Sequence, residues 1–448
     1  MTAATGNPLD DSKLTGFHIR LSIYSAGGPF LDGYILSIIG IALVQLTTQM
    51  HLSTTWAGLI GASSLIGIFV GGIAFGYVTD LIGRQVMYTI DLVAIIVCSV
   101  LQFFVVNDVQ LFILRLIIGI AIGADYPIAT SLLAEFLPRK HRGPLLGALV
   151  SMWFIGASVA YFVGYGLLFV GPDGWRWMLL SAAFPTLVIV LLRLGTPESP
   201  RWLMNKGRVE EARAVMRKVY GPDADVDQIP PEPEKTRFMK VFEPPYLRRT
   251  IYIAAFWTCS VVPLFAIYAF GPRILATFKL TGNEANIGSA LISVLFLIGT
   301  LLALPTLNRL GRRRMIIWSF FISAFGLLFL GLFPGMSIWG IVLCFVVYAI
   351  FIGGPQVMQW IAPNELFPTD VRATAVGIGT GVSRVGAAIG TYLLPVSLDH
   401  LGIGWTMIIA AIITYLGALA CYLWAPETKG LTLAEAAGGT ASAQVISP

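Results

Sequence analysis

Charged side chains are scarce in this chain: Asp, Glu, Lys and Arg together make up 12% of its 448 residues. A soluble domain usually carries about twice that share. Charge is excluded most strongly where a side chain faces lipid, because one charged residue at the centre of a bilayer costs about 3 kcal/mol even on a lenient insertion scale. The shortage of charge therefore argues against a soluble protein.

Histidine and cysteine are also rare, with four of each. The cysteines all fall in apolar stretches, which is typical of small buried side chains. The histidines are predicted near the start of the chain or in loops, and none is spaced as a set of metal ligands. The basic residues form no single patch of the kind that binds nucleic acid. We therefore expect no metal, no cofactor and no nucleic-acid partner, and we interpret the chain as something other than an enzyme.

Apolar residues, in contrast, make up 56% of the chain. They are gathered into runs of about 20 residues, the length of a helix that crosses a bilayer. The sequence therefore predicts an all-α membrane protein embedded in the lipid bilayer. Twelve helices are predicted, near residues 21–45, 56–79, 87–106, 111–136, 144–170, 177–194, 250–275, 285–306, 315–333, 338–362, 374–397 and 405–424.

Lysine and arginine predict the orientation of these helices. If the N-terminus lies in the cytoplasm, most basic loop residues fall on the cytoplasmic side, and Arg176, Arg273 and Lys279 fall on the other. Membrane proteins show this asymmetry. The polar start of the chain mixes acids and bases, unlike a signal peptide. We expect a multi-pass protein of the plasma membrane, the inner membrane if the source is bacterial, with both termini in the cytoplasm.

An internal repeat divides the chain into two halves. Three short motifs recur in the same order and at almost the same spacing, six predicted helices later. Because an even number of helices separates the copies, both halves keep the same orientation. The recurring positions are Gly83 and Gly311, Glu135 and Glu365, and Glu198 and Glu427.

The one long polar stretch of the sequence sets the domain boundaries. Residues 201–220 mix apolar and charged positions as a surface helix does, and the prolines among residues 229–233 mark a linker. We predict an N-terminal six-helix bundle over residues 1–195 and a C-terminal six-helix bundle over 250–448. Residues 196–249 are predicted to form a cytoplasmic loop with a surface helix and the linker.

The motifs resemble those of the major facilitator superfamily, and most closely its sugar-porter and metabolite:proton symporter branches. The resemblance implies the major facilitator fold and secondary active transport. The paired glutamines and the asparagine that hexose porters carry in helix seven are absent from this sequence. The likeness rests on the loop 76–84, on segments starting at Pro197, Pro363 and Pro426, and on residues 28–34 with 123–127, which are similar to a bacterial group of metabolite transporters.

Two acidic residues are predicted deep in the membrane. Asp32 and Asp125 each lie about ten residues from the cytoplasmic end of their helix, hence roughly 15 Å deep. Burial disfavours the ionised form of a carboxyl group, so each could bind and release a proton during transport. The alternative is a structural acid bonded to a basic side chain or to backbone amides. We predict both as proton-coupling residues.

Arg384 is predicted roughly 18 Å deep in helix eleven, where its guanidinium keeps its charge. The counter-charge is either a substrate carboxylate or a protein acid; by resemblance, relatives that carry organic anions place a basic residue in this helix. Arg115 is expected to reach the membrane interface or to be paired. The other predicted solute contacts, which could instead hold helices together, are Gln356, Gln359 and Trp360, with Trp153, Trp257 and Tyr268.

The repeated loop motifs bring charged residues to the cytoplasmic ends of the helices. By resemblance, they form ion-pair networks that keep the inner gate closed while the outer gate is open. The predicted gating residues are Asp80, Gly83, Arg84, Glu135, Arg142 and Glu198 in the first half, and Arg309, Gly311, Arg312, Glu365, Arg372 and Glu427 in the second.

These features together predict a secondary active transporter. We expect it to couple a small organic solute, an organic acid in preference, to protons by alternating access, and to function as a monomer. The alternative is a sugar or polyol transporter, either proton-coupled or facilitative.

Overall fold

A computed structural model describes residues 15–136, 139–193, 196–222, 224–228, 238–280, 282–367 and 369–429. The regular structure within these ranges is helical, with no β-strand. The α-helices are α1 Gly16–Gln49, α2 Thr54–Ile82, α3 Arg84–Phe103, α4 Asp108–Phe136, α5 Arg139–Leu167, α6 Gly174–Ser181, α7 Ala183–Arg193, α8 Pro200–Asn205, α9 Val209–Tyr220, α10 Leu247–Thr277, α11 Asn283–Leu310, α12 Arg312–Leu332, α13 Ile338–Phe351, α14 Gly353–Leu366 and α15 Thr369–Trp424.

Ten helical segments of the described ranges are long and apolar enough to cross a membrane. One of them, Thr374–Trp424, has 51 residues and is broken at Gly402, whose φ of +75° ends one helix and begins another. It therefore contains two spans. α4, with 29 residues, is a further helix long enough to cross. This set of helices is consistent with the twelve spans predicted from the sequence.

The chain divides into two compact units, Met1–Glu232 and Pro233–Pro448. Each unit contains one copy of the repeated motifs. The division falls among the prolines of residues 229–233, where the sequence predicts a linker.

Helices of the first unit approach one another at the distance of backbone contact. A Cβ at Gly33 of α1 would lie 1.9 Å from the Trp153 carbonyl oxygen of α5, and a Cβ at Gly156 of α5 would lie 2.0 Å from the Phe30 carbonyl oxygen of α1. Only glycine permits this packing.

The surface helix predicted over residues 201–220 is two helices. Gly207, with a φ of +73°, separates α8 from α9, because few other residues adopt that conformation without strain. α9 buries Ala212, Met216 and Val219, which recur at helical spacing. Val219 belongs to a hydrophobic cluster with Leu21 of α1, so α9 packs on the start of α1.

The second unit is organised around α10 and α15. The ring of Trp257 on α10 fills the space beside Gly379 of α15, where a Cβ would lie 2.8 Å from the ring. α10 is itself two helical pieces: Phe270 has non-helical dihedral angles (φ −131°, ψ 19°), and Pro272 follows it. Proline removes a backbone hydrogen bond and crowds the preceding turn, which accounts for the kink.

Candidate proton and solute sites

Asp32 of α1 is a fully buried acid of the first unit, with 0% of its surface exposed. Trp153 Nε1 on α5 donates a hydrogen bond of 2.7 Å to Asp32 Oδ2. The close contact of α1 with α5 at Gly33 brings the two side chains together. A hydrogen bond to an ionised carboxylate contributes about 1.5–3 kcal/mol. Trp153 is predicted from the sequence as a solute contact. In the structure it is hydrogen-bonded to Asp32, the predicted proton-coupling residue.

Arg384 of α15 is only 4% exposed. Its guanidinium carbon lies 5.0 Å from the ring centroid of Phe265 on α10, a cation–π contact. Val382 and Val385 are 46% and 38% exposed, so Arg384 points away from the surface that these valines form. Arg384 is therefore buried inside the second unit.

Gln356 and Gln359 of α14 are both buried and are bonded to each other. Gln359 Nε2 donates to Gln356 Oε1 and to Ser260 Oγ of α10, each at 2.8 Å. Gln356 Nε2 donates to the Ser260 carbonyl at 3.4 Å. These contacts link α14 to α10, and solute binding by the two glutamines stays a prediction.

The aromatic candidates of the second unit form two ring contacts. Trp257 and Trp360 meet edge to face at 6.0 Å between centroids, and Tyr268 packs on Phe296 at 5.2 Å. Trp257 is 1% exposed, and its Nε1 has no hydrogen-bond acceptor among the described residues. A buried indole N–H usually has a partner. A solute could therefore provide the hydrogen-bond acceptor for the indole N–H of Trp257.

Four predicted gating residues of the second unit, Gly311, Arg312, Glu365 and Glu427, lie together. Arg312 Nη2 pairs with Glu365 Oε1 at 3.0 Å, and Thr428 donates its hydroxyl proton to the other oxygen of that carboxylate. Glu427 accepts the backbone N–H of Arg312 at 3.0 Å and that of Arg313 at 3.2 Å, which caps α12. Gly311, with a φ of +87°, makes room for this carboxylate, because a Cβ there would lie 2.6 Å from it.

The first unit repeats the capping arrangement. Glu198 Oε2 accepts the N–H of Gln85 at 2.9 Å at the start of α3, and a Cβ at Gly83 would lie 2.8 Å from that oxygen. The side chains of several predicted residues lie outside the described part of the chain. They are Asp80, Arg84, Asp125, Glu135 and Arg142.

Two predicted gating arginines have roles that the sequence did not specify. Arg372 Nε donates to the Phe367 carbonyl at 3.1 Å, so this contact stabilises the end of α14. At Arg309 the backbone carbonyl accepts a hydrogen bond of 2.9 Å from Lys429 Nζ. Both contacts involve main-chain oxygens, whose positions residue types alone do not reveal.

Arg115 of α4 is a buried charge. It is 1% exposed, and its Nε donates to the Ile60 carbonyl of α2 at 3.3 Å, so its side chain is held inside the first unit. The sequence feature that indicated this burial is that Arg115 lies within a predicted span together with Gly119. A Cβ at Gly119 would lie 2.2 Å from the Ser64 carbonyl oxygen, which shows how closely α2 and α4 pack beside it.

Comparison with known proteins gives matches over nearly the whole chain. The family model for sugar (and other) transporters matches residues 22–438. The protein YaaU of Escherichia coli K12 is 45% identical over 97% of this chain and 98% of its own length. The inner membrane metabolite transport protein YgcS of the same organism is 40% identical over 96% of each chain.

The fold has a counterpart among solved structures. The xylose transporter XylE of E. coli, in a partially occluded inward-open conformation, superposes with a TM-score of 0.79 at 23% identity. The alignment covers 93% of this chain and 100% of that one. The chain is therefore an all-helical membrane transporter with the major facilitator fold, not an enzyme, and it belongs to the sugar (and other) transporter family.

Proposed function

We propose that this protein is a proton-coupled symporter of a small organic acid that works by alternating access. The observation that carries the proposal is the burial of Arg384, 4% exposed and stacked on Phe265 inside the second unit. A guanidinium keeps its charge when buried, and its planar edge suits a carboxylate. An acidic solute would therefore gain more from this site than a neutral one.

Asp32 supports the coupling half of the proposal. Asp32 is an ionisable group with 0% exposure inside the first unit, and the indole N–H of Trp153 donates to its carboxylate. We infer that this carboxyl group gains and loses a proton as the solute binds and leaves. Asp125, on α4, is retained as a second proton-coupling candidate on the depth argument alone.

A sugar or polyol transporter is the second candidate. Names among the more distant relatives point both ways: an arabinose-proton symporter of Bacillus subtilis is 28% identical, and a benzoate transport protein of Acinetobacter baylyi is 27% identical. The polar side chains that would bind sugar hydroxyls here, Gln356 and Gln359, are bonded to each other and to Ser260. The positive charge of Arg384 would gain little from a neutral sugar, so we favour an organic acid as the solute.

Arg384→Gln tests the choice of solute. Binding to purified wild type and variant is measured with matched pairs, benzoate against benzamide and gluconate against glucose. Loss of a buried charge-assisted contact costs about 2 kcal/mol or more, so the Kd of the preferred acid rises by roughly 30-fold or more and that of its neutral partner much less. An equal loss of affinity for the acid and for its neutral partner would contradict the proposal that the solute is an acid.

Arg248→Gln is the matched control. Arg248 is exposed and donates to the Leu423 carbonyl at 3.1 Å, so its removal deletes an arginine of the same unit without touching the buried site. Acid binding by this variant is expected to equal that of wild type. Tight binding of glucose alone by the wild type would favour the sugar alternative.

The orientation and the gate complete the proposal. The distribution of Lys and Arg supports both termini in the cytoplasm and the Glu198 and Glu427 caps at the inner membrane surface. In this orientation the pair of Arg312 with Glu365 stabilises the closed inner gate. Nothing in the proposed cycle needs a second copy of the chain, so we assign the transport unit as a monomer.

A further inference from the structure

Two arginines of the second unit meet at the end of α15. Arg248, at the start of α10, donates from Nη2 to the Leu423 carbonyl at 3.1 Å, and Arg313, at the start of α12, donates from Nη2 to the Tyr422 carbonyl at 3.0 Å. These carbonyls are consecutive in the last turn of α15, where they lack intrahelical donors. Since consecutive carbonyls of a helix are neighbours, the two guanidinium groups lie within roughly 10 Å of each other.

No carboxylate of the described residues forms an ion pair with either of these two arginines. Each guanidinium makes its hydrogen bond to a main-chain oxygen and uses one of its five donors there. The carboxylate of Glu427 is nearby, but it accepts the backbone N–H groups of Arg312 and Arg313 and caps α12. Because both arginines are exposed, their remaining donors can reach a ligand at the membrane surface.

An exposed apolar stripe runs along α15 and ends at the two arginines. Its residues recur at intervals of four, three and four positions and therefore share one face of the helix. The stripe is about 16 Å long, close to the roughly 15 Å of hydrocarbon in one leaflet of a bilayer. It consists of Ile412, Leu416, Leu419 and Leu423, which are 51%, 51%, 49% and 50% exposed.

The neighbouring helix α12 extends this apolar surface. Trp318 and Phe321 of α12 are 58% and 48% exposed, and the Phe321 ring lies 5.5 Å from that of Tyr415 on α15. At the level of the arginines, the end of α15 carries Tyr422 and Trp424, which are 62% and 36% exposed. Tyrosine and tryptophan are enriched at the headgroup level of membrane proteins. The two arginines thus lie where lipid headgroups lie, with an apolar surface beside them.

We propose that Arg248 and Arg313 bind the phosphate of one anionic phospholipid, whose acyl chain lies along the stripe of α15. The edge of a guanidinium matches phosphate oxygens, and two such groups side by side favour a headgroup with net negative charge. A free phosphate would make no use of the apolar stripe, so the occupant is a lipid. The inference goes beyond the proposed symport and does not depend on the identity of the solute.

The test is a titration of purified, delipidated protein in detergent, with bound lipid counted by native mass spectrometry. Phosphatidylglycerol is the anionic probe, and phosphatidylethanolamine with the same acyl chains is the zwitterionic one. One basic residue near an anionic lipid changes the affinity about fivefold, so Arg248→Gln and Arg313→Gln should each raise the Kd of phosphatidylglycerol about fivefold, and the double variant about 25-fold. The wild type should prefer phosphatidylglycerol clearly, and the double variant should lose that preference.

Two control variants separate this site from a diffuse positive surface. Arg314→Gln removes the exposed arginine next to Arg313, and its Kd for phosphatidylglycerol should stay within twofold of wild type. Arg176→Gln removes an arginine that also donates to two carbonyls but pairs with Asp173 at 3.4 Å, and it should likewise bind as wild type does. A loss in Arg314→Gln as large as that in Arg313→Gln overturns the proposal.

Two measurements on the wild type decide even if the variants do not fold. Equal affinity for phosphatidylglycerol and phosphatidylethanolamine overturns the proposal. Displacement of phosphatidylglycerol by an excess of glycerol 3-phosphate would indicate a site for a soluble phosphate and also overturns it. Either failure leaves the symporter proposal standing, because that proposal rests on Arg384 and Asp32, which are not part of this surface.

Discussion

At the scale of single residues, each of three buried charges lies beside an aromatic side chain. Asp32 accepts the indole N–H of Trp153, Arg384 lies over Phe265, and Arg193 lies against Tyr88. A ring buries a large apolar area while its face attracts cations and an indole N–H attracts anions. Aromatic partners thus help to hold these three charges inside the protein.

Asp32→Asn is expected to separate exchange from accumulation. The amide imitates the protonated acid and still accepts the Trp153 N–H, so exchange of solute across the membrane should remain within a few-fold of wild type. Accumulation driven by a proton gradient should fall at least tenfold. Both are measured in proteoliposomes with benzoate or gluconate, whichever binds, and normal pH-dependent accumulation would remove Asp32 from the coupling role.

Trp153→Phe gives a graded companion to that change. The ring remains but the donor to Asp32 is lost, and that donor favours the ionised carboxylate. The pH midpoint of proton-driven uptake is therefore expected to move upward, by about one to two units for a bond of about 1.5–3 kcal/mol. A downward shift would contradict the assignment of the indole as a stabiliser of the ionised form.

At the scale of helices, glycine residues determine which helix faces can pack closely against each other. α1 and α5 pack through Gly33 and Gly156, and each would place a Cβ within 2.0 Å of a carbonyl oxygen of the other helix. Lipid provides no hydrophobic drive for helix association, so close van der Waals contact has to supply it. This packing also places Trp153 within hydrogen-bond distance of Asp32.

Gly156→Ala and Gly166→Ala, both on α5, form a matched pair that tests this packing. A Cβ at position 156 would lie 2.0 Å from the Phe30 carbonyl oxygen, whereas one at position 166 would have no atom within 4 Å. We expect Gly156→Ala to destabilise the protein by about 1–3 kcal/mol, as overpacking does. Gly166→Ala should be neutral or stabilising by up to about 1 kcal/mol, because alanine favours helix. Thermal unfolding in detergent measures both, and equal effects would argue against the close contact.

At the scale of the whole molecule, the same kind of helix cap occurs once in each unit. Glu198 caps α3 after Gly83, and Glu427 caps α12 after Gly311, each with a positive φ at the glycine. The carboxylate satisfies free N–H groups and is favoured by the helix dipole. In the second unit, the adjoining pair of Arg312 with Glu365 adds an ion pair that is mostly shielded from water.

Arg312→Ala is expected to weaken the closed inner gate. Loss of a partly buried pair worth about 1 kcal/mol shifts a two-state equilibrium by roughly fivefold toward the inward-facing state. The apparent KM for uptake from the outer side should rise by up to that factor, because fewer molecules expose the outer site. Arg314→Ala, at an exposed position two residues later, is the control. Equal KM values for Arg312→Ala and wild type would limit Arg312 to a structural role.

The sequence by itself determined the spans, the repeat and the family. Bilayer thickness and the cost of burying charge act on each segment separately, so a helix that crosses lipid is visible in its own residues. The duplicated motifs likewise identified Gly83, Glu198, Gly311 and Glu427 as a recurring set, but only the structure showed that the two acids cap helices. Depth counted along one helix also identified Asp32 and Arg384 as buried charges.

Only the tertiary structure decided which partners these residues have. The bond of Trp153 to Asp32 spans 121 positions, and that of Arg193 to the Tyr24 carbonyl spans 169. Gln356 and Gln359 are bonded to each other and to Ser260 of α10, a contact between two helices that lie far apart in the sequence. Spacing along one helix shows which way a side chain points, but what it meets depends on how neighbouring helices pack, and that is set by contacts distant in sequence.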